Sequence, residues 1–366
     1  MIADRYKANN SVFIIAEAGV NHNGSIEMAK RLIDSAADAG ANAVKFQTFK
    51  AEELVSRCAP KAEYQKSTTN EAESQLEMLR KLEIDADSHR TLIDHCNSRN
   101  IQFLSTPFDS DSIDLLARTF NLPDLKIPSG EITNGPFLLK AAATGKRIML
   151  STGMSTLGEV EEALGVLAFG YTKGREEASR RDFQDAFCSE DGREALEANV
   201  TLLHCTTEYP APFEEVNLKV LETMRLAFGL AVGLSDHTPG IAMPIAAVAL
   251  GATVIEKHFT LDKFLLGPDH KASIEPLELV EMIKAIRQVE VALGSTRKIP
   301  TASEVKNRDV ARKSLIAARP IHKNEAFSAE NLTTKRPGRG ISPMRYWDYL
   351  GKQSDKDYAE DELITE

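Results

Sequence analysis

Eight short apolar runs rich in β-branched residues recur along the chain, each followed by a longer amphipathic stretch. They are VFIIAEAG (12–19), AVKFQTF (43–49), QFLSTPF (102–108), LKIPSGE (125–131), RIMLSTG (147–153), VTLLHCT (200–206), LAVGLSD (230–236) and TVIEKHF (253–259). The stretches between them carry helical spacing. In MAKRLIDSAADAG (28–40), Met28, Leu32, Ile33, Ala36 and Ala39 fall on one stripe, and Gly40 ends it. A strand followed by a helix, eight times over, predicts parallel pairing. The architecture this favours is α/β, a closed (β/α)8 TIM barrel, whose helices cover strands that are apolar on both faces. An open doubly wound sheet is the alternative, and the first strand lacks the glycine fingerprint of a dinucleotide fold.

The runs share a second property: they end in polar residues. These are Glu17; Lys45 and Gln47; Ser105 and Thr106; Lys126, Ser129 and Glu131; Ser151 and Thr152; His204 and Thr206; Ser235, Asp236 and His237; and Glu256, Lys257 and His258. Turn formation explains some of them. A barrel, however, gathers its active site at the C-terminal ends of its strands, so polar ends on all eight predict one converging pocket.

The remaining sequence divides simply. A charged stretch at about 170–199 reads as a helical surface insertion in the barrel, which spans 1–294. Residues 295–310 read as a linker. The tail, 311–366, reads as a small domain of short strands and turns, because Pro320, Pro337, Gly338, Gly340 and Pro343 break any long helix. A net charge of −10 argues against non-specific nucleic-acid binding. No run is apolar enough to span a membrane, and the N-terminus MIADRYKANN has no signal-peptide pattern. Cys58, Cys96, Cys188 and Cys205 show no paired spacing, which suits a reducing cytoplasm.

The chemistry at the strand ends is specific in kind. Lys45, Lys126 and Lys257, beside Thr106, Ser129, Ser151 and Ser235, suit a doubly anionic small substrate; pairing with Glu17, Glu131 and Glu256, or a Schiff-base lysine, are the other readings. His237 and His258 end successive strands with no cysteine in the same motif. An N/O-rich pair with open positions favours Mn²⁺, Fe²⁺, Co²⁺ or Zn²⁺ over Mg²⁺, against the plainer reading of two hydrogen-bonded strand ends. Asp269 is a further ligand or a substrate contact. Asn21 and His22 in GVNHNG are either site residues or shapers of the first turn. His204 and Cys205 read as packing rather than ligands.

Taken in order, AEAGVNHNGSIEMAKRLID, AVKFQTFKAEELVS, FLSTPFD, KIPSGEITN, LSTGMST, HCTTEYPAPFEEVNL, GLSDHTPG, IEKHFTLD and GPDHKAS resemble the phosphoenolpyruvate-dependent sialic acid synthase family, and RKSLIAARPI through RPGRGISP resembles its C-terminal antifreeze-like (SAF) domain. The resemblance implies condensation of phosphoenolpyruvate with the open-chain aldehyde of an N-acetylated mannosamine-type sugar, giving a nine-carbon 2-keto sugar acid and phosphate. It implies a divalent metal between His237 and His258, Mn²⁺ first, with Mg²⁺ or Co²⁺ as alternatives. Lys45, Thr106, Lys126, Ser129, Ser151 and Ser235 match its phosphoenolpyruvate cradle, and Glu17 and Glu131 its acidic residues. Gln47, Tyr209 and Asp269 match sugar contacts, and Arg336 an arginine that a domain-swapped homodimer inserts into the partner's barrel.

The sugar is the open variable. Thr207, two residues before Tyr209, stands where the sialic branch of the family is expected to carry Asn, and TEY resembles the legionaminic branch instead. A methyl and one hydroxyl suit a sugar short of hydroxyls. N,N'-diacetyllegionaminic acid is therefore the expected product; N-acetylneuraminate from N-acetylmannosamine, or pseudaminic acid, are the alternatives. Outside the class stand a Schiff-base aldolase and a non-catalytic carbohydrate-binding protein.

Overall fold

The structure is a computed structural model and describes residues 11–56, 59–61, 73–174 and 177–366. Cys58 and the N-terminal stretch 1–10 lie outside them. The chain divides into two compact units, Met1–Gly294 and Ser295–Glu366.

Eight strands build the first unit: β1 Phe13–Gly19, β2 Ala43–Thr48, β3 Gln102–Pro107, β4 Asp124–Ile127, β5 Arg147–Ser151, β6 Val200–Cys205, β7 Ala231–Asp236 and β8 Val254–His258. All pair in parallel, in the order β3-β2-β1-β8-β7-β6-β5-β4. β3 and β4 lie side by side and complete the barrel, without a backbone ladder among the described residues. At the N-terminal end of that seam, side chains take the ladder's place. Gln102 Nε2 donates to Asp124 Oδ2 at 2.7 Å, and Arg147 Nε lies 2.7 Å from Asp124 Oδ1.

The period of two sorts each strand's side chains. Ile15, Ala43, Leu104, Met149, Leu203 and Val254 face inward and fill the barrel as one packed cluster. Their neighbours face outward into a larger core shared with the helices, which includes Ile14, Val44, Phe103, Leu150, Leu202 and Ile255. The interior is therefore filled with side chains, as the eight-strand geometry requires.

The helix predicted over 28–40 runs Ile26–Asp38 and buries Ala29, Leu32, Ile33 and Ala36. Ser25 caps it by accepting from the Met28 N–H, so it starts before Met28, which packs half-buried at the edge of the core stripe. Strand β4 is shorter than its apolar run: after Pro128, Ser129–Glu131 close a 3₁₀ turn. The charged stretch 170–199 begins inside helix Leu157–Lys173 and continues as helices Arg180–Cys188 and Glu190–Asn199. Residues 295–310 are not simply a linker, because Ala302–Ala311 is helical. Thr301 and Glu304 form its capping box, and none of its residues is buried.

In the second unit, Ser314–Ala317 pairs antiparallel with Leu332–Lys335 over a core that includes Leu315, Phe327, Ile341, Tyr349, Tyr358 and Ile364. No helix among the described residues is long and apolar enough to cross a membrane.

Leu104 is fully buried inside the barrel. Leu104→Ala is expected to cost about 2–5 kcal/mol in urea unfolding, whereas Leu226→Ala on the surface should cost below about 0.5 kcal/mol. Equal effects would contradict the packed interior.

Candidate active site

The inward positions one layer above the apolar cluster are charged. Glu17, Lys45 and His258 lie on one rung across β2, β1 and β8. Lys45 Nζ lies 2.8 Å from Glu17 Oε2 and 3.5 Å from Glu256 Oε2, and donates to Thr106 Oγ1 at 2.8 Å. From the other side Lys126 Nζ lies 3.3 Å from Glu256 Oε1, which also accepts from Ser235 Oγ at 2.7 Å. All of these side chains are buried. Two lysines and two glutamates thus share one buried space.

That space sets their proton affinities. Burial pushes the Glu17 carboxyl up to about 7, with Lys45 opposing and Glu256 adding to it. Burial acts on Glu256 in the same sense, but Lys126 and Lys45, with the Ser235 hydroxyl, outweigh it and hold Glu256 well below the usual carboxylate range. Burial would deprotonate Lys45, yet Glu17 and Glu256 keep it above its ordinary value. Asp269 is pushed up to about 6 by burial, against His237 and Lys45.

Above this layer stand three rings. Tyr209 lies over His237 with centroids 4.2 Å apart, and His237 and His258 are 5.4 Å apart. His237 Nδ1 lies 2.7 Å from the Thr206 carbonyl, which fixes its N–H there and leaves Nε2 with a free lone pair. The Ala211 N–H donates to the His237 carbonyl at 2.9 Å, tying the loop after β6 to β7. Burial, with the positive charge of neighbours, holds His258 well below the ordinary histidine value, so its ring is neutral; its Nδ1 is buried without a hydrogen-bond partner. Burial opposes charge on His237 as well, but Cys205, the Thr206 carbonyl and Glu256 outweigh it and raise its proton affinity above the ordinary histidine value, so a divalent cation held by the two fixed imidazoles would have to displace a proton from His237. No group of three or more His, Cys, Asp or Glu is so arranged among the described residues, so the remaining positions on such an ion would fall to water or substrate.

Glycines make room for the pocket. A Cβ on Gly19 would lie within 3.5 Å of Glu17 Oε1, Asp269 Oδ2 and Gln47 Nε2, which locates the convergence of those three side chains. A Cβ on Gly153 would lie 2.8 Å from Ser129 Oγ and closer still to Thr207 Oγ1. Gly153 N–H donates to Ser129 Oγ at 2.9 Å, while Ser151 Oγ and Thr207 Oγ1 are buried with no partner. These are hydroxyls arranged for something other than the protein.

Most residues singled out in the sequence therefore come together. The exceptions are informative. Lys257 does not reach the pocket: it points outward and pairs with Asp236 at 2.6 Å. Ser105 also faces outward, to Thr48 at 2.6 Å. Glu131 sits half-buried on the turn after β4, accepting from Asn134 Nδ2 at 2.7 Å. Arg336 belongs to the second unit. Asn21 and His22 shape the first turn, Asn21 by donating to the Phe259 carbonyl and Ser273, His22 by accepting from the Gly24 N–H. His204 turns to the Val216 carbonyl at 2.6 Å. Cys205 is not mere packing, since its Sγ lies 3.8 Å from His237 Nδ1. Glu256, at the centre of the cluster, was legible only as a polar strand end; its place two residues before His258 is the signal that turns it inward. A separate cavity of about 270 Å³ opens at the other end of the barrel, where its Asp124 and Arg147 pair with each other.

A parallel barrel with an anion cradle, a buried carboxylate pair and two imidazoles at its C-terminal face defines an enzyme that handles a small anion. Residues 32–298 match the NeuB family and residues 312–366 the SAF domain, so the chain belongs to the NeuB family. It is 55% identical over 353 residues to an N,N'-diacetyllegionaminic acid synthase of Campylobacter jejuni subsp. jejuni, covering 96% of this chain and 98% of that one. It is 44% identical to the N,N'-diacetyllegionaminic acid synthase of Legionella pneumophila subsp. pneumophila, covering 93% and 90%. The crystal structure of an N-acetylneuraminic acid synthetase from Leptospira borgpetersenii superposes with a TM-score of 0.67 at 32% identity, covering 82% of this chain and 90% of that one.

The raised Glu17 carboxyl has a consequence for stability. Below its ordinary value of 4.5 both folded and unfolded chains are protonated there and the contribution is complete. As pH rises through about 7 the folded chain must also give up that proton, and the contribution is lost. Glu17→Gln is therefore expected to flatten the fall in thermal midpoint across that window in the ligand-free protein. An unchanged slope would show that Glu17 titrates normally.

Proposed function

We propose that this chain joins phosphoenolpyruvate to 2,4-diacetamido-2,4,6-trideoxymannose, forming N,N'-diacetyllegionaminic acid and releasing phosphate. The observation that carries the reaction is the pair Lys45 and Lys126 converging beneath unpartnered hydroxyls. Two ammonium groups in a low-dielectric pocket neutralise a phosphate and a carboxylate held close together. Thr106, Ser129, Ser151 and Ser235 supply oriented hydrogen bonds, and their strands hold the enol so that its C3 faces the sugar aldehyde. A divalent cation held by His237 and His258, Mn²⁺ in this reading, would polarise that aldehyde oxygen.

Carbon–carbon bond formation leaves C2 of the enol electron-poor. Water adds there, the C2–O bond to phosphate breaks, and the keto group forms. Glu17, raised towards neutrality beside Asp269 and Gln47, is placed to take the proton that water gives up. Glu131, bound to Asn134 at the rim, is the weaker candidate for this role. A Schiff-base aldolase is disfavoured, because Lys45 is held protonated by two carboxylates and Lys257 has no access to the pocket.

The sugar assignment draws on Thr207, whose hydroxyl is buried and unpartnered at the Gly153 cradle, and on the two legionaminic acid synthases at 55% and 44% identity against 32% for the sialic acid synthetase. Assembly is the other finer point: a domain-swapped homodimer in the cytoplasm, with Arg336 completing the partner's site. Arg308, Arg312, Lys313, Lys335, Arg336 and Arg339 make this stretch basic in a chain of net charge −10, and helix Ala302–Ala311 buries nothing within its own unit.

Phosphate release should require phosphoenolpyruvate, the amino sugar and a divalent cation together, and His237→Ala or His258→Ala should abolish it in folded protein. The ratio of kcat/KM for the diacetamido sugar over N-acetylmannosamine should exceed one; the reverse ratio would leave the sialic acid reading standing. Mixing Arg336→Ala with Glu17→Gln subunits should restore part of the activity in verified heterodimers if the swap operates.

A further inference from the structure

His237 follows β7 and His258 ends β8; inside the pocket Tyr209 packs against both rings, at 4.2 and 5.6 Å between centroids, but no hydrogen bond links the two imidazoles among the described residues. Behind them, on the outer face, stands a buried ion pair. Asp236 precedes His237 on β7, Lys257 precedes His258 on β8, and the two are partners in the ladder. Both side chains point outward, away from the pocket, and both are buried, with Glu278 and Lys263 the next charged groups to act on Lys257. Lys257 Nζ lies 2.6 Å from Asp236 Oδ2 and also donates to the Thr238 carbonyl. Asp236 Oδ1 in turn accepts from the Thr238 N–H at 3.0 Å, and Oδ2 from the Thr238 hydroxyl at 3.2 Å. One ammonium and one carboxylate therefore grip the residues on either side of His237, and the ammonium is itself anchored one residue from His258.

We propose that Asp236 and Lys257 are positioning residues: a buried ion pair on the outer face of the barrel that holds His237 and His258 at the separation a shared cation needs. The proposal rests on the reading that this histidine pair holds a divalent cation. Two features distinguish the pair from ordinary strand packing. On the inner face of the adjoining rung, Ser235 donates to Glu256, so β7 and β8 are pinned on both faces directly below the imidazoles. The outer pin also binds backbone atoms of the turn 236–238, where the ladder ends, and so adds to the Thr206 and Ala211 backbone contacts that hold His237 from the β6 side. A buried charge pair is a costly way to hold two strands together, and replacing one by apolar groups is often harmless to stability. Its worth here lies in direction, because ion-pair and hydrogen-bond geometry fixes the strand ends more narrowly than apolar packing does.

The test is Mn²⁺ binding by the full-length protein, followed by electron paramagnetic resonance of the free ion, alongside phosphoenolpyruvate binding and the thermal midpoint. Lys257→Met alone leaves the buried Asp236 carboxylate without its counter-ion and endangers folding, so the decisive variant is Asp236→Asn with Lys257→Met, which removes both charges of the pair. Mn²⁺ affinity is expected to fall about 10- to 100-fold in the double variant while phosphoenolpyruvate affinity stays within about twofold, the scale of losing a support behind a metal ligand. Wild-type Mn²⁺ affinity in the folded double variant overturns the proposal. So does a parallel loss of both ligands, which marks general loosening of the barrel. Mn²⁺ binding that disappears in His237→Ala but persists unchanged in the double variant removes the positioning role and leaves the cation site standing. A wild-type protein that binds no Mn²⁺ removes the cation reading, and this proposal with it.

Discussion

The structure depends on a cost that few folds carry: two lysines held in the middle of a barrel. An isolated ammonium there would lose its proton to the low dielectric. Lys45 keeps its proton because Glu17 and Glu256 flank it. The carboxylates divide the task unequally. Glu256 sits between both lysines and stays ionised, whereas Glu17 pairs directly with Lys45 alone, and burial with the like-charged Glu256 draws it towards neutrality. Two glutamates of the same chemistry therefore have different uses, one as a counter-ion and one as a group that can change charge near neutral pH. The apolar layer of Ile15, Leu104, Met149, Leu203 and Val254 below them keeps water out from that side.

The same arrangement says what an incoming anion must do. In the ligand-free protein the lysines are already paired, so a phosphate or carboxylate enters as a competitor of Glu256. An anion bound there would replace another anion rather than fill a bare positive hole. The hydroxyls of Ser151 and Thr207, which have no protein partner, reward only a ligand that reaches them. Selectivity then arises from shape and hydrogen bonding more than from charge.

Much of this was legible in the sequence for a physical reason. A strand buried on both faces shows as an apolar run, and a polar residue at its end has few structural excuses; hence Lys45, Lys126, Ser151, Ser235, His237 and His258 could be read as one pocket. What the runs do not reveal is which way a side chain points. Lys257 and Glu256 differ by one residue and face opposite sides of β8, and only the register resolves them. Turn chemistry was similarly hidden. Asn21 and His22 have the residue types of a catalytic site, but His22 accepts from the Gly24 N–H of the turn after β1 and Asn21 ties that turn to Phe259 and Ser273 beyond β8. Residues 295–310 lacked apolar periodicity because helix Ala302–Ala311 buries none of its residues, so its capping box was the one local sign.

The seam between β3 and β4 bears on how the mouth responds to a ligand. Every other pair of neighbouring strands is locked by backbone hydrogen bonds along its length, but here the fastening is a cluster of side chains, Gln102, Asp124 and Arg147, at the far end. A sheet fastened at one end of a gap can widen at the other without breaking a peptide hydrogen bond. Thr106 stands on one bank of that gap and Lys126 and Ser129 on the other. The barrel thus lacks backbone fastening along a single line, and that line separates Thr106 from Lys126 and Ser129.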